Sequence, residues 1–276
     1  TLRRWIGEGG KYDKHWAYVA PKRPDLPAVK AKVLVANPVD HFVLRRLEQR
    51  GLTFAEPADK ARWLRRVSLD LIGLPPTVEQ LDAFLADESE NAREKVVDAL
   101  QKSPRYGEHW ARHWLDVARY ADNKGYVFYL NREFTWSYTY RDYLIESFNR
   151  DLPFDQFVMQ QLAADQMQLG SEKRPLRAMG FITVGAYFTN NTHDIIDDRI
   201  DVVTRGLMGI TVTCARCHDH KYDPITQQDY YALYGVIHSS YDPIVPPLYE
   251  APSDTDKYRE FQKQLDLKQK TLEDFI

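Results

Sequence analysis

Cysteine, long apolar runs and an excess of charge of one sign are all scarce in this chain. Two cysteines stand among 276 residues, at 214 and 217, and a disulfide between residues three apart closes almost no loop and stabilises little. No stretch approaches the ~18 apolar residues that a membrane span needs, because charge or glycine interrupts the longest ones. Lysine plus arginine number 37 and aspartate plus glutamate 40, a formal net charge of −3. That near-balance argues against a grip on nucleic acid built on bulk charge. There is no internal repeat, no low-complexity tract and no convincing β-alternation. The start, TLRRWIGEGGKYDKHW, has neither an apolar h-region nor an initiator methionine, so it reads as the continuation of something upstream and not as a signal peptide. What is present is a globular composition, 43% hydrophobic and 28% charged, with room for one large domain or two small ones. Aromatic residues reach 13%, enough to build a core or to line a pocket for a flat ligand.

The local signals are helical. Residues 1–36 are irregular: Gly9-Gly10 and then Pro21, Pro24 and Pro27 in a basic stretch cannot sustain a helix, and predict an extended strap. Asn37 before Pro38 opens a helix whose Val39, Phe42, Val43 and Leu47 share a face and which Gly51 ends. Helices are expected over 58–72, over 77–86 from a Thr77/Gln80 capping box, and over 91–101. Ser103-Pro104 opens another, with Tyr106, Trp110, Trp114, Val117 and Tyr120 on one face and His109, Arg112, His113, Asp116 and Arg119 on the opposite flank. An aromatic, turn-rich segment follows over 122–135, then helices over 136–149 and from Pro153 to 168. Ile196, Ile200, Val203, Leu207 and Ile210 recur at helical steps and place the cysteine pair at a helix end. A helix over 227–236, a Pro-rich stretch over 243–252 and a coiled-coil-like tail with Tyr258, Phe261, Leu265, Leu272 and Phe275 complete a mainly α chain.

Both cysteines lie in Cys214-Ala215-Arg216-Cys217-His218. C-x-x-C-H suits covalent haem attachment: two thiols three apart add across the vinyl groups of one porphyrin edge, and the adjacent histidine reaches the iron. Three other readings use the same residues. A redox dithiol needs a βαβ context that the pattern lacks. A structural disulfide is weak at this spacing. A zinc site would combine Cys214, Cys217 and His220, without the distant histidine pair of a finger.

Around this motif the chain resembles the planctomycete-type cytochrome c domain proteins, in a region long catalogued as a domain of unknown function. The matching stretches are HWAYVAPKRPDLP (15–27), SLDLIGLPPT (68–77), YGEHWARHWLDVARYAD (106–122), YRDYLIESFNRDLPFDQFV (140–158) and DIIDDRIDVVTRGLMGITVTCARCHDHKYDPI (194–225). The resemblance implies an upstream cytochrome-like domain and a downstream domain of the same polypeptide, and links the family to polysaccharide-degrading bacteria.

Several residues are candidates for the other side of the iron and for the haem edge. His113 has Trp110 and Trp114 as flat neighbours and is the first distal candidate; His193, in a polar loop just before the helix that leads to the motif, is the second, with Met208 and Met179 behind them. An open position would instead permit a small molecule to bind. His109 and His113, four apart, could bind a separate metal, although the Glu of the zinc-protease signature is missing. His113 and His220 are candidates for acid–base work; in the bland reading Asp219 and Asp223 cap and turn the chain while His220 is solvated. Arg119, Tyr120, Asp122 and Arg141 form a polar set in which Arg suits a propionate, with structural ion pairs as the alternative. Asp194, Asp197, Asp198 and Asp201 could bind Ca²⁺, or form a solvated face, or complement the dipole at the helix N-terminus.

The sequence therefore predicts a mainly α, irregular single-domain helical fold built around one covalently bound haem c. Residues 1–36 are expected to be the tail of an upstream domain plus a strap, 37–245 the haem domain, and 246–276 a Pro-rich linker and helical arm. Cys214, Cys217, His218, Arg119, Tyr120 and Trp114 are the expected haem contacts, with His218 proximal and His113 or His193 distal. The expected function is electron transfer in a periplasmic or other extracytoplasmic protein with no nucleic-acid partner and no membrane span. The alternatives are a haem enzyme acting on a substrate such as a carbohydrate, and an interaction module with a structural haem.

Overall fold

The computed structural model describes residues 1–11, 16–121, 136–185, 191–240, 248 and 252–275. The turn-rich segment 122–135, with Asp122, and most of the Pro-rich stretch 243–252 lie outside them. Among the described residues the regular structure is entirely helical, as expected, and no helix is long and apolar enough to cross a membrane. The chain divides into two compact units, residues 1–59 and 60–276.

The first unit contains α1 (Leu2–Gly7), short 3-10 turns at Trp16–Tyr18 and Lys32–Leu34, and α2 (Pro38–Glu48). Asn37 caps α2 in a reciprocal box with Asp40, which satisfies N–H groups that a helix start otherwise leaves unpaired. The residues before it form the expected strap. His41 Nδ1 donates to the carbonyl of Pro27 at 3.0 Å, and Glu48 Oε1 accepts from the Lys30 and Ala31 amides at 2.8 and 3.2 Å. The strap thus covers the face carrying His41, Leu44 and Glu48, and Leu44 is fully buried. This corrects the sequence-based face: Val39, Phe42 and Val43 are exposed, because the bonds of His41 and Glu48 to the strap outweigh apolar periodicity in so small a unit.

The second unit begins with α3 (Lys60–Ile72), α4 (Val78–Ala86) and α5 (Ala92–Gln101), packed around Leu64, Phe84 and Ala92. Its main core joins α6 (Pro104–Val117), α7 (Tyr138–Asn149), α8 (Phe154–Ala163) and α9 (Gly180–Thr183) through Ala111, Tyr140, Leu144, Phe157 and Phe181. Helices α6 and α7 cross at Gly107, where a Cβ would lie 2.4 Å from the carbonyl oxygen of Ile145. The buried stripe of α6 is therefore made of small residues, Gly107 and Ala111. Of the aromatic face expected there, Trp114 is half-buried and Val117 exposed; α7 comes too close for rings at the crossing. A third cluster joins α10 (Thr192–Val203) and α11 (Gln227–His238) through Ile196, Ile200 and Tyr230, with Val212 and Ala215 between them. The tail is one helix, α12 (Asp256–Glu273), with no buried residue.

Candidate functional site: the Cys-x-x-Cys-His turn

Helix α10 does not run into the cysteines. It passes into a π turn at Thr204–Met208, closed by Gly209 at φ +66°, a left-handed conformation that glycine adopts without steric cost. The chain then enters a separate 3-10 turn at Thr213–Arg216 that carries Cys214. The helix-end position expected from the periodicity is thus corrected: the wider π turn and the left-handed glycine break the helix ahead of the motif.

The turn is anchored by what lies between its reactive groups. Ala215 is fully buried against Ile196, Ile200, Val212 and Tyr230, so the short side chain between the two thiols fastens the loop to the protein. Arg216 Nη1 donates to Asp194 Oδ1 at 2.9 Å and lies 3.9 Å from Asp197 Oδ2. The Asp194 hydrogen bond holds the guanidinium above its ordinary pKa. From the other side, Tyr231 OH and Gln227 Nε2 donate to the Arg216 carbonyl at 3.1 and 3.3 Å, and Asp219 Oδ1 accepts from the Gln227 amide at 2.8 Å. Thus α10 and α11 both grip the segment, while Cys214 and Cys217 are free and exposed.

His218 is also exposed. Its Nδ1 lies 2.7 Å from the carbonyl oxygen of Asp219; a carbonyl only accepts, so Nδ1 carries the proton and the Nε2 lone pair is left for a metal. His220 is held in the opposite tautomer. Its Nδ1 accepts from the backbone amides of Asp223 and Tyr222 at 2.9 and 3.4 Å, and its side chain is only 8% exposed. It therefore shapes the 220–225 turn, closed by His220 N donating to the Ile225 carbonyl, and is not the solvated group of the bland reading. Asp219 does cap the chain, at the start of α11. Among the described residues no group of three or more His, Cys, Asp or Glu is arranged to hold a metal ion, so the trio Cys214, Cys217 and His220 is not assembled for zinc.

Among the described residues the acidic run of α10 is not assembled as a Ca²⁺ cluster, and it is not a solvated face, which corrects those two readings; Asp194 does stand in the first turn of the helix, where a carboxylate complements the dipole. Asp194 meets Arg216, Asp197 accepts from Tyr230 OH at 2.5 Å, Asp198 meets Arg119, and Asp201 meets Arg205 at 2.9 Å. Burial, reinforced by the Asp197 bond, pushes the Tyr230 hydroxyl well above the ordinary tyrosine range. Burial likewise pushes the Asp198 carboxyl up, against the pull of Arg119. Sequence reading missed this brace. Its one signal was an acidic pair three apart on a helix ahead of a motif whose variable position is arginine.

The other expected haem contacts are placed as follows. Trp114 belongs to the main core: its Nε1 donates to Gln161 Oε1 at 2.7 Å and its ring stacks 5.9 Å from Phe181. Tyr120 packs beside it, 6.4 Å from Tyr140. Arg119 reaches α10 through Asp198. His113 is exposed on α6 with its ring 5.4 Å from His109, and α6 is not among the helices that grip the turn, which are α10 and α11. His193 sits in the first turn of α10 and not in the loop before it, since Asn191 caps the helix one residue ahead of Thr192; its Nδ1 is bonded to Tyr234 OH and its ring is stacked on Tyr234. It is the distal candidate carried by an element that touches the motif.

These features define a class, a mainly helical protein with a solvent-facing Cys-x-x-Cys-His turn clamped between two helices. The PSCyt2 family model, described as a protein of unknown function (DUF1549), matches residues 38–242, and the chain belongs to that family. No curated protein and no solved structure matches it.

Proposed function

We propose that this chain is a mono-haem c-type electron-transfer domain, with the haem attached through Cys214 and Cys217 and ligated by His218. The observation that carries the reading is the division of labour in the turn. Ala215 and Arg216 are tied into the protein, while both thiols and the Nε2 edge of His218 remain available. That donor set matches what two thioether bonds and one axial nitrogen require. When bound, the haem supplies a one-electron couple that the chain itself lacks. The carbonyl of Asp219 fixes the His218 tautomer and makes its imidazole a stronger donor. Arg216, spent on Asp194, braces the loop against reorientation, and the exposure of the motif leaves a short route to a redox partner.

Thioether formation needs reduced thiols and haem delivered outside the cytoplasm, so the proposal places the protein in the periplasm or an equivalent compartment. The neighbouring domains of the same polypeptide are its first candidate partners. The test is production in a host competent for c-type haem maturation, followed by haem staining on a denaturing gel and absorption spectra. Wild type should carry covalent colour, and Cys214→Ala with Cys217→Ala should lose it; colour retained by the double variant overturns the attachment. Sharp reduced bands unmoved by CO support the electron carrier. A CO-shifted Soret band overturns it in favour of a ligand-binding haem enzyme.

A further inference from the structure

Helix α6 carries a pair of histidines, His109 and His113, that the electron-transfer reading does not use. They stand four residues apart, the spacing that sets two side chains one above the other on a helix face. Their rings lie 5.4 Å apart, centroid to centroid. The helix beneath them is held fast, because Gly107 and Ala111, about 200° around its axis, are buried in the main core. The backbone spacing of the pair is therefore fixed by packing.

His109 is half-buried, and its ring is oriented by α3. Its Nδ1 edge faces Gly73, the left-handed glycine that follows α3, where a Cβ would lie 2.5 Å from Nδ1. The ring also hydrogen-bonds the backbone of Asp70 at the end of that helix. A backbone carbonyl only accepts, so the nitrogen turned to α3 carries the proton and the other keeps its lone pair for a metal. His113 is exposed, with its ring 5.7 Å from that of Trp110, and its imidazole has room to turn toward the same point. Of the charges near His109, Arg112 opposes a cation and Asp70 favours one.

A zinc–imidazole bond of about 2.0–2.1 Å plus the ring radius puts an ion roughly 3.2 Å from each centroid. At the observed separation of 5.4 Å the two rings would then subtend about 115° at one ion, close to the tetrahedral angle. Among the described residues no third His, Cys, Asp or Glu joins the pair in a metal-holding group, so the other positions fall to water.

We propose that His109 and His113 form a surface site for an exchangeable divalent transition-metal ion, held by two imidazoles with its remaining positions open to water. Imidazole suits zinc, copper and nickel, and the near-tetrahedral angle favours zinc among them. The site makes no use of the cysteine turn and is independent of the electron-transfer reading.

The experiment is calorimetric titration of the full, tag-free chain with ZnCl₂, after iodoacetamide has blocked any thiol of Cys214 or Cys217 that is free. Wild type should bind zinc saturably. His113→Ala, at an exposed position, should keep the fold and weaken binding at least about tenfold, as expected when a chelate loses one of two arms. His109→Ala should weaken it as much, with circular dichroism to establish folding; should it fail to fold, His109→Gln takes its place. No saturable binding to wild type overturns the site, as does unchanged affinity in His113→Ala. A loss in His113→Ala without one in the folded His109 variant overturns the pairing.

Discussion

Arg119 follows the last turn of α6 at φ +57°, a left-handed conformation rare outside glycine, and from there it meets Asp198. Gly185 makes room for the pair: a Cβ there would fall 2.4 Å from Arg119 Nη2 and 2.9 Å from Asp198 Oδ2. Both side chains are largely shielded from water, so removing the cation leaves a carboxylate in a poor environment. Arg119→Ala is expected to cost about 2–3 kcal/mol at neutral pH, the buried-pair penalty reduced for partial exposure. The pH dependence has a definite sign. Burial already raises the Asp198 pKa and Arg119 opposes it, so the variant raises it further. The folded variant then holds its proton more tightly than the unfolded chain, and this contribution is full below the ordinary aspartate range and lost as pH rises through the raised value. Urea denaturation at pH 4 and pH 7 should show a smaller deficit for Arg119→Ala at the lower pH; an equal deficit would refute the account. The sequence marked Arg119 as the partner of some carboxylate. It could not name Asp198, 79 residues further on, because nothing local couples the two.

At the level of the helices, the crossing of α6 and α7 and the free face of α11 make opposite predictions for the same substitution. Gly107→Ala would drive a methyl group into the backbone carbonyl of Ile145, which cannot rotate away as a side chain would. It should destabilise by about 1–3 kcal/mol. Gly235→Ala, inside α11 with nothing within 4 Å of the new Cβ, should instead stabilise by about 0.5–1 kcal/mol through helix propensity. Denaturant midpoints with unchanged m-values would check both. The starts of helices were the most legible part of the fold: Asn37, Thr77 and Ser103 each accept from the helix they precede, because capping is chemistry between near neighbours. Less legible were the 3-10 turn at Arg174–Met179 and the short α9 behind it, which depend on what they pack against. The inward face of α6 was also hidden, since an aromatic stripe and a stripe of small residues are both apolar at helical spacing. At the site, the motif was plain from its spacing, whereas the clamp formed by Asp194, Gln227 and Tyr231 exists only once α10 and α11 are packed.

On the scale of the whole chain, the units divide at residue 59 while the family match runs from 38 to 242, so the family's shared region includes α2 as well as the helical body. The tail beyond it contributes little to that body. Because α12 buries no residue and leaves Phe261 and Leu272 exposed, deleting residues 254–276 should lower the thermal midpoint by less than about 2 °C. A larger drop in a calorimetric scan would show that the arm supports the fold. The π turn has a consequence of another kind. A π turn is a helix holding one residue more than α geometry uses, so a single-residue deletion within 204–208 would let α10 wind on as an ordinary helix. What lies downstream would keep nearly the same bearing, because the residue removed is the surplus one; a single-residue deletion inside Thr192–Val203, which holds no surplus, would instead swing it by about 100° around the helix axis. After that second deletion both thiols and the histidine would keep their identity and spacing yet aim elsewhere, so the bearing of this site is written in a residue count, and a one-codon deletion well outside the motif disarms it or spares it according to where it falls.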